Sequence, residues 1–195
     1  MIATSGRRAR IRASARRVIG VAIAAMLATG VAGAVDPEIA KLAGYVDGSS
    51  FAELSDPEGS RVEISLPGKI LKPFCGALTN HDADLEVACG LEWIGAVILE
   101  FEEGTPNVER VRAMVEKTEK SLEAKGWERL AVVQEKDEIV RVLMLMSGEK
   151  VQGLVVLVVG ADEIVFANIA GDIDMDQLGA LADKMDIPGL EEIPD

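Results

Sequence analysis

Four short apolar segments, separated by turns of two or three residues, constrain the fold of this chain more than any other sequence feature. They span residues 127–135, 138–147, 150–159 and 163–171. Turns this short join antiparallel neighbours, so the second half of the chain predicts a four-strand meander. Residues 154–159 are apolar at both parities, which is typical of a central strand that is covered on both faces.

Two further strands and two helices are predicted before the meander. Residues 61–66 alternate between polar and apolar side chains, and residues 91–101 form another apolar segment bounded by glycine. A short helix is expected at residues 67–78, because Pro-Gly opens it. Apolar side chains between residues 108 and 122 recur at spacings of three and four, which predicts a helix with one buried stripe.

The end of the chain predicts a closing helix. It is expected from Asp174 to Met185, where Asp174 and Gln177 fit a capping box. After a short helical lead that starts at Asp36, the order of elements is βαβαββββα. This order predicts an α+β fold whose mainly antiparallel sheet ends in the meander and whose helices lie mostly on one face.

The first 34 residues have the order of a secretory signal. Residues 1–17 are rich in arginine, residues 18–33 are small and apolar, and Ala-Gly-Ala at positions 32–34 precedes Val35. We expect cleavage between Ala34 and Val35 and export to the periplasm or the medium. An uncleaved membrane anchor is the alternative, but the apolar run is shorter than the roughly 20 residues that a span requires. The choice between Sec and twin-arginine export stays open.

The sequence predicts one folded domain behind this signal. Residues 35–59 are interpreted as a short helix and a linker, because glycine, serine, aspartate and proline are frequent from residue 47 onward. Residues 60–190 are interpreted as a single α+β domain and residues 191–195 as a tail. A domain of this size is large enough to bury its own core.

Charge excludes two classes of partner. The chain has a net charge of −13, and six of its 20 cationic residues lie in the predicted signal, which contains no acid. The exported chain would therefore carry 14 cationic and 33 acidic side chains. A surface this acidic repels phosphate, so we expect neither nucleic-acid binding nor, once the signal is removed, membrane binding.

The sequence offers little for catalysis or metal binding. His81 is the single histidine, and Asp82 and Asp84 beside it give too few ligands for a typical zinc site. A calcium loop starting at Asp172 would need glycine and glutamate at positions that hold other residues. No Gly-x-Ser-x-Gly nucleophile motif is present. We therefore expect a protein that is not an enzyme and has no cofactor or metal.

The two cysteines, Cys75 and Cys89, predict a disulfide. In an oxidising compartment, a pair of cysteines in a small domain is more often a structural bond than a reactive site. Closing this 15-residue loop would stabilise the fold by about 3 kcal/mol in the chain-entropy description. A redox role would usually require a Cys-x-x-Cys spacing, which is absent here. Two free buried thiols are the main alternative to the disulfide.

One strand has more apolar surface than the predicted helices can cover. Val140, Val142, Met144 and Met146 lie on one face of residues 139–147, and the opposite face is also largely apolar. The first face is therefore a candidate interface. It predicts a protein-interaction module that binds an envelope protein or itself. A carrier that holds a small apolar ligand between sheet and helix is the alternative, and ordinary burial by residues 36–60 also stays open.

Sequence motifs spread over residues 60–190 follow a recognisable order. Gly126-Trp127 follows a helix, Gly-Leu-Val-Val occupies residues 153–156, and Asn-Ile-x-Gly-x-Ile occupies residues 168–173. Together with residues 62–68 and 91–100, these motifs resemble the bacterial domain-of-unknown-function family 4252. The resemblance implies a small exported envelope protein without an assigned activity, and it suggests a link to envelope signalling.

Overall fold

One open sheet forms the centre of the computed structural model, which describes residues 35–55, 58–78, 87–101, 108–135 and 138–174. Every neighbouring pair of strands is antiparallel. The six strands are β1 (Ser60–Pro67), β2 (Leu91–Glu100), β3 (Glu128–Gln134), β4 (Ile139–Ser147), β5 (Lys150–Val159) and β6 (Glu163–Asp174).

The strand order across the sheet is β1-β2-β6-β5-β4-β3. Strands β3 to β6 lie side by side in chain order, which confirms the predicted meander and the α+β class. The β1–β2 pair joins this meander at β6, where Val97 lies opposite Phe166. Strand β5 lies in the middle of the meander, and Leu154 and Val155 are both buried there although they point to opposite faces.

Helical segments lie between the strands and before them. Among the described residues they are a 3-10 helix (Ile39–Lys41), α1 (Ser49–Ala52), α2 (Gly68–Leu78), α3 (Val87–Gly90) and α4 (Val108–Glu123). The chain turns from α4 into β3 at Gly126, whose φ of 89° lies in the left-handed region that favours glycine. Helix α2 agrees with the helix expected at residues 67–78.

The end of β6 differs from the sequence prediction. A helix is expected from Asp174, but Asp174 is the last residue of β6 and lies opposite Lys150. The strand continues because its alternation continues: Ile173 is buried, and Asp172 and Asp174 are exposed. The remainder of the predicted closing helix lies outside the described residues.

Helices α1 and α4 pack on one face of the sheet, called the helix face below. Helix α4 buries Val111, Val115 and Leu122, which is the stripe that its spacing predicts. Each fully buried apolar side chain contributes about 1.5–3 kcal/mol to stability, so this face is the main core. Its strand residues include Val97, Leu99, Ile139, Leu143, Val155, Leu157, Val159, Ile164 and Phe166.

The opposite face, called the back face below, has a second core. Helix α2 contributes Leu71 to it. The other buried members come from the strands and are Leu91, Val142, Met144, Val151, Leu154 and Ile173. Both faces of the sheet are therefore apolar, as the parity of residues 139–147 predicts.

Residues 40–54, called the strap below, pack against the helix face as part of the domain. The sequence assigns residues 35–59 to a short helix and a linker, but the strap contains α1 and a core residue. Phe51 is only 1% exposed, and its ring stacks on that of Phe166 with centroids 5.0 Å apart. The linker interpretation is thus corrected, because Phe51 and Leu54 bury apolar surface within a stretch of otherwise turn-forming residues.

Both predicted terminal segments lie outside the described residues. The signal at residues 1–34, including Ala34, and the tail at residues 191–195 are therefore not described here, and Val35 is the first described residue. Within the described ranges, no helix is long and apolar enough to cross a membrane.

Candidate functional site

A buried asparagine attaches the strap to the sheet. Asn168 of β6 is 0% exposed. Its Oδ1 accepts a hydrogen bond from the Val46 amide at 3.0 Å, and its Nδ2 donates to the Gly44 and Leu154 carbonyls at 2.9 and 3.2 Å. It therefore satisfies backbone groups of the strap that would otherwise be buried without partners.

Two glycines let the strap approach the sheet at backbone distance. A Cβ on Gly44 would lie 1.7 Å from the Gln152 carbonyl oxygen, and a Cβ on Gly153 would lie 2.6 Å from Gly44 Cα. The same Cβ on Gly153 would lie 2.6 Å from Cη2 of Trp127. Only glycine fits at both positions, so the crossing of the strap over β5 is fixed by sterics as well as by Asn168.

Helix α4 is fixed to the sheet by a buried ionic cluster. The Glu119 carboxylate lies 2.6 Å from Arg129 Nε and 3.5 Å from Arg141 Nε. Arg141 also donates to the Val133 carbonyl at 3.1 Å and to Gln134 Oε1 at 3.0 Å. Because a buried charge without its partner is strongly destabilising, this cluster defines where α4 lies on β3 and β4.

The strap and α4 form the two walls of a cleft of 810 Å³ on the helix face. Trp127 and Leu145 line it from the sheet side, and Val46 and Met114 add apolar surface from the walls. The strap residues that line it are Ala40, Ala43, Tyr45, Val46, Asp47 and Ser50. The residues from α4 and the turn after it are Ala113, Met114, Lys117, Thr118, Ser121, Leu122 and Lys125.

The wall formed by α4 has a regular pattern. Ala113, Lys117 and Ser121 are spaced by four residues, so they lie along one ridge of the helix, and Lys125 follows in the turn. Ala113 and Ser121 are small, and Ser121 lies between the two lysines in the sequence. The wall therefore combines open volume with two cations.

The strap contributes polar groups at the opposite wall. Burial, and secondarily the nearby Asp47 carboxylate, raise the pKa of Tyr45 above its usual value. The Tyr45 hydroxyl is therefore neutral at physiological pH and can donate a hydrogen bond. Asp47 accepts hydrogen bonds from the Ser49 amide at 2.9 Å and the Ser49 hydroxyl at 3.0 Å, which stabilises the entry to α1. Tyr45 also packs edge-on against Trp93 at 5.8 Å.

The candidate interface predicted from the sequence lies on the other side of the sheet. Val142 and Met144 are 1% and 8% exposed and belong to the back-face core. Val140 and Met146 are half-buried and pack against the same core. None of these four residues lines the cleft, so the surface singled out by the sequence and the cleft are separate.

The predicted disulfide falls partly outside the described side chains. Cys89 lies in α3 and is not a free thiol, whereas Cys75 lies in α2 at a position whose side chain is not described. His81, Asp82 and Asp84 lie outside the described residues. Among the described residues, no group of three His, Cys, Asp or Glu side chains is arranged to hold a metal ion.

The sequence interpretation includes a ligand held between sheet and helix as an alternative, but it does not identify the residues of the cleft. Its strap wall is read from sequence as linker, and its helix wall is read only through the buried stripe of α4. Phe51 is the sequence signal that could have indicated packing of this segment. A large aromatic side chain within a stretch rich in glycine and serine is usually buried in a core. Gly44 gives no such signal, because the need for glycine there arises only from the close approach of the β5 backbone at Gln152 and Gly153.

Comparison with known proteins identifies the family of this chain. No curated protein and no solved structure matches the chain. The family model described as domain of unknown function (DUF4252) matches residues 60–181, a range that begins at β1 and leaves out the strap. The match covers well over half of the chain and agrees with the motif resemblance in the sequence. The chain therefore belongs to the DUF4252 family.

Proposed function

We propose that this protein is an exported, non-catalytic envelope protein that holds a small ligand with an apolar body in the cleft between the strap and α4. The observation that carries this proposal is the cleft itself. Its volume of 810 Å³ falls within the range of about 300–1,000 Å³ that is common for small-molecule sites. Its apolar base is surrounded by a few polar groups, which is the usual composition of such sites.

The polar groups of the cleft suit binding. They include four hydroxyl groups, from Tyr45, Ser50, Thr118 and Ser121, and two lysine ammonium groups. Such groups orient a ligand through hydrogen bonds and charge. The rigid attachment of both walls, through Asn168 for the strap and Glu119 for α4, supports a cleft that is formed before the ligand arrives.

Export supports this proposal from the sequence side. The signal-like residues 1–34 precede the first described residue, and cleavage after Ala34 would leave a chain that begins just before the strap. In an oxidising compartment, we propose a Cys75–Cys89 bond between α2 and α3. The bound state of Cys89 supports it. Intact-mass measurement without reductant should give a chain that is lighter by two hydrogens, and an unchanged mass on reduction would contradict the bond.

A cleft-filling substitution tests the binding proposal. Ser121 is exposed on the cleft wall, so Ser121→Trp should occupy the space without disturbing the core. Glu116→Trp provides the matched control, because Glu116 is an exposed residue of the same helix that does not line the cleft. The probe is N-phenyl-1-naphthylamine, an uncharged dye whose fluorescence rises in apolar surroundings.

The expected result is saturable binding of one dye per chain in the wild type and in Glu116→Trp, with at least tenfold weaker binding in Ser121→Trp. Circular dichroism should show the same fold in all three proteins. Absence of saturable dye binding to the wild type would refute the proposal, as would equal affinity in Ser121→Trp.

A second candidate function is a protein-interaction module on the back face. Its specific support is that Val140, Met146, Val156 and Ile169 are only half-buried there, next to a buried core. Native mass spectrometry of the wild type and of Met146→Lys distinguishes this candidate. A dimer that is lost in a folded Met146→Lys variant would favour it, and a monomer in both would remove the case for self-association.

A further inference from the structure

We propose that the ligand of this cleft is a long-chain carboxylate, with its chain along the apolar base and its carboxylate at the lysines of the α4 wall. This inference rests on the proposed binding function and adds the chemical class of the ligand. It follows from the distribution of charge around the cleft, from the pairing of the nearby acids, and from the neutral hydroxyl of Tyr45.

Charge is segregated on α4. The helix and the two residues after it contain four glutamates and five cationic side chains. None of the four glutamates lines the cleft, whereas Lys117 and Lys125 do. Glu119 and Glu123 point instead toward Arg129, which lies within 2.6 Å of one and 2.5 Å of the other. The α4 wall of the cleft therefore carries positive charge, although the chain has a net charge of −13.

The two lysines are available to a ligand. Among the described residues, no carboxylate forms an ion pair with Lys117 or Lys125, although Lys41 and Lys69 have acidic partners at Glu38 and Asp36. The single acid that lines the cleft, Asp47, already accepts two hydrogen bonds from Ser49. An anion would therefore supply the counter-charge that the wall lacks.

The acidity of the whole protein does not oppose this. Charges further apart than about 8 Å are largely screened at physiological ionic strength, so the groups at the rim dominate the interaction with a bound headgroup. Ser121 lies between the two lysines on the helix ridge and offers a hydroxyl donor beside them. Tyr45, whose phenol is protonated near neutral pH, offers a second hydroxyl donor from the strap.

The shape of the cleft requires an amphipathic ligand. Trp127, Leu145, Val46 and Met114 form apolar surface that gains nothing from a small polar anion such as acetate. A chain of about ten or more carbons buries this surface and gains from every methylene that it removes from water. A long-chain cation could bury the same apolar surface, but the positively charged lysines would repel its headgroup.

The experiment compares three ligands that share one chain. Isothermal titration of the full chain from Val35 onward would use laurate, 1-dodecanol and dodecyltrimethylammonium, each below the concentration at which it self-associates. The variants are the double substitution Lys117→Gln/Lys125→Gln and the matched control Lys120→Gln. Lys120 is exposed on the same helix and does not line the cleft.

We expect laurate to bind at least tenfold more tightly than 1-dodecanol, and the cation to bind most weakly. The double variant should lose about tenfold in laurate affinity and keep its affinity for 1-dodecanol, and Lys120→Gln should match the wild type. Equal binding of laurate and 1-dodecanol, or a double variant that binds laurate like the wild type, would overturn the carboxylate inference and leave the binding function intact. Failure of all three ligands, together with failure of the dye, would overturn both.

Discussion

Asn168→Leu is the most informative single substitution in this fold. Leucine has a similar volume and fits an apolar core, but it cannot replace the amide. Its introduction would leave the Val46 amide and the Gly44 carbonyl without their hydrogen bonds to Asn168. The Leu154 carbonyl would lose a further contact at 3.2 Å. The perturbation therefore acts on the attachment of the strap rather than on the packing of the sheet.

The magnitude follows from the two strap groups. A buried polar group that loses its partner costs about 1–3 kcal/mol, and water reaching a partly detached strap lowers this toward the smaller value. We expect a loss of roughly 2–4 kcal/mol in the free energy of unfolding. Domains of this size shift their Tm by about 2–4 °C for each kcal/mol, so the expected decrease is roughly 5–15 °C.

The assay combines urea denaturation with amide hydrogen exchange. Denaturation gives the free energy of unfolding, and exchange at Val46 reports the strap alone. We expect fast exchange at Val46 in the variant and loss of dye binding in the cleft. Protection at Leu99 of β2 should fall by no more than the loss in the free energy of unfolding, because core amides exchange through global unfolding. A variant with wild-type stability, or one whose Val46 amide keeps its protection, would refute the role given to Asn168.

Three further predictions follow from the same contacts. Gly153→Ala should destabilise the fold by about 1–3 kcal/mol in urea denaturation, because its Cβ would clash with Gly44 and Trp127. The control Gly160→Ala should be nearly neutral, because the closest atom to its Cβ would lie 3.6 Å away. Arg141→Met should cost about 1–3 kcal/mol, because Glu119 loses one of its two cationic partners and keeps Arg129. Glu119→Leu combined with it should recover part of the loss, and an additive double variant would contradict the pairing. Tyr45 is the single tyrosine, and its tyrosinate absorbance should titrate with a midpoint above 10. Because its folded pKa is raised, Tyr45 contributes stability that is present below pH 10 and lost as pH rises through the folded pKa, a dependence that Tyr45→Phe should remove.

The strands and their meander could be predicted because their signals are local. Alternation and tight turns define β3 to β5 within one residue, and the spacing of α4 identifies its buried stripe. The continuation of β6 to Asp174 was missed because Asp174 and Gln177 fit a helix start equally well. The pairing of Asp174 with Lys150 favours the strand, but this pairing comes from the neighbouring strand β5. The local sequence around Asp174 therefore does not reveal it.

The candidate site could not be predicted because it depends on non-local contacts. The strap reads as linker unless it is known that Gly44 lies against Gly153 and that Asn168 reaches Val46, more than a hundred residues away. The cleft exists only where this strap and α4 lie on the same face. Lys117 and Lys125 are visible in the sequence. That they line a cleft follows only from the position of the strap, which forms the opposite wall.

The position of ligand binding tests the central claim most directly. Amide chemical shifts of the ¹⁵N-labelled chain, recorded during titration with laurate, report every part of the sheet in one experiment. We predict shifts at Val46, Ser121 and the Trp127 indole, and unchanged signals at Val140 and Met146 on the back face. Shifts that cluster at Val140 and Met146, or no saturable shifts in the cleft, would contradict the account.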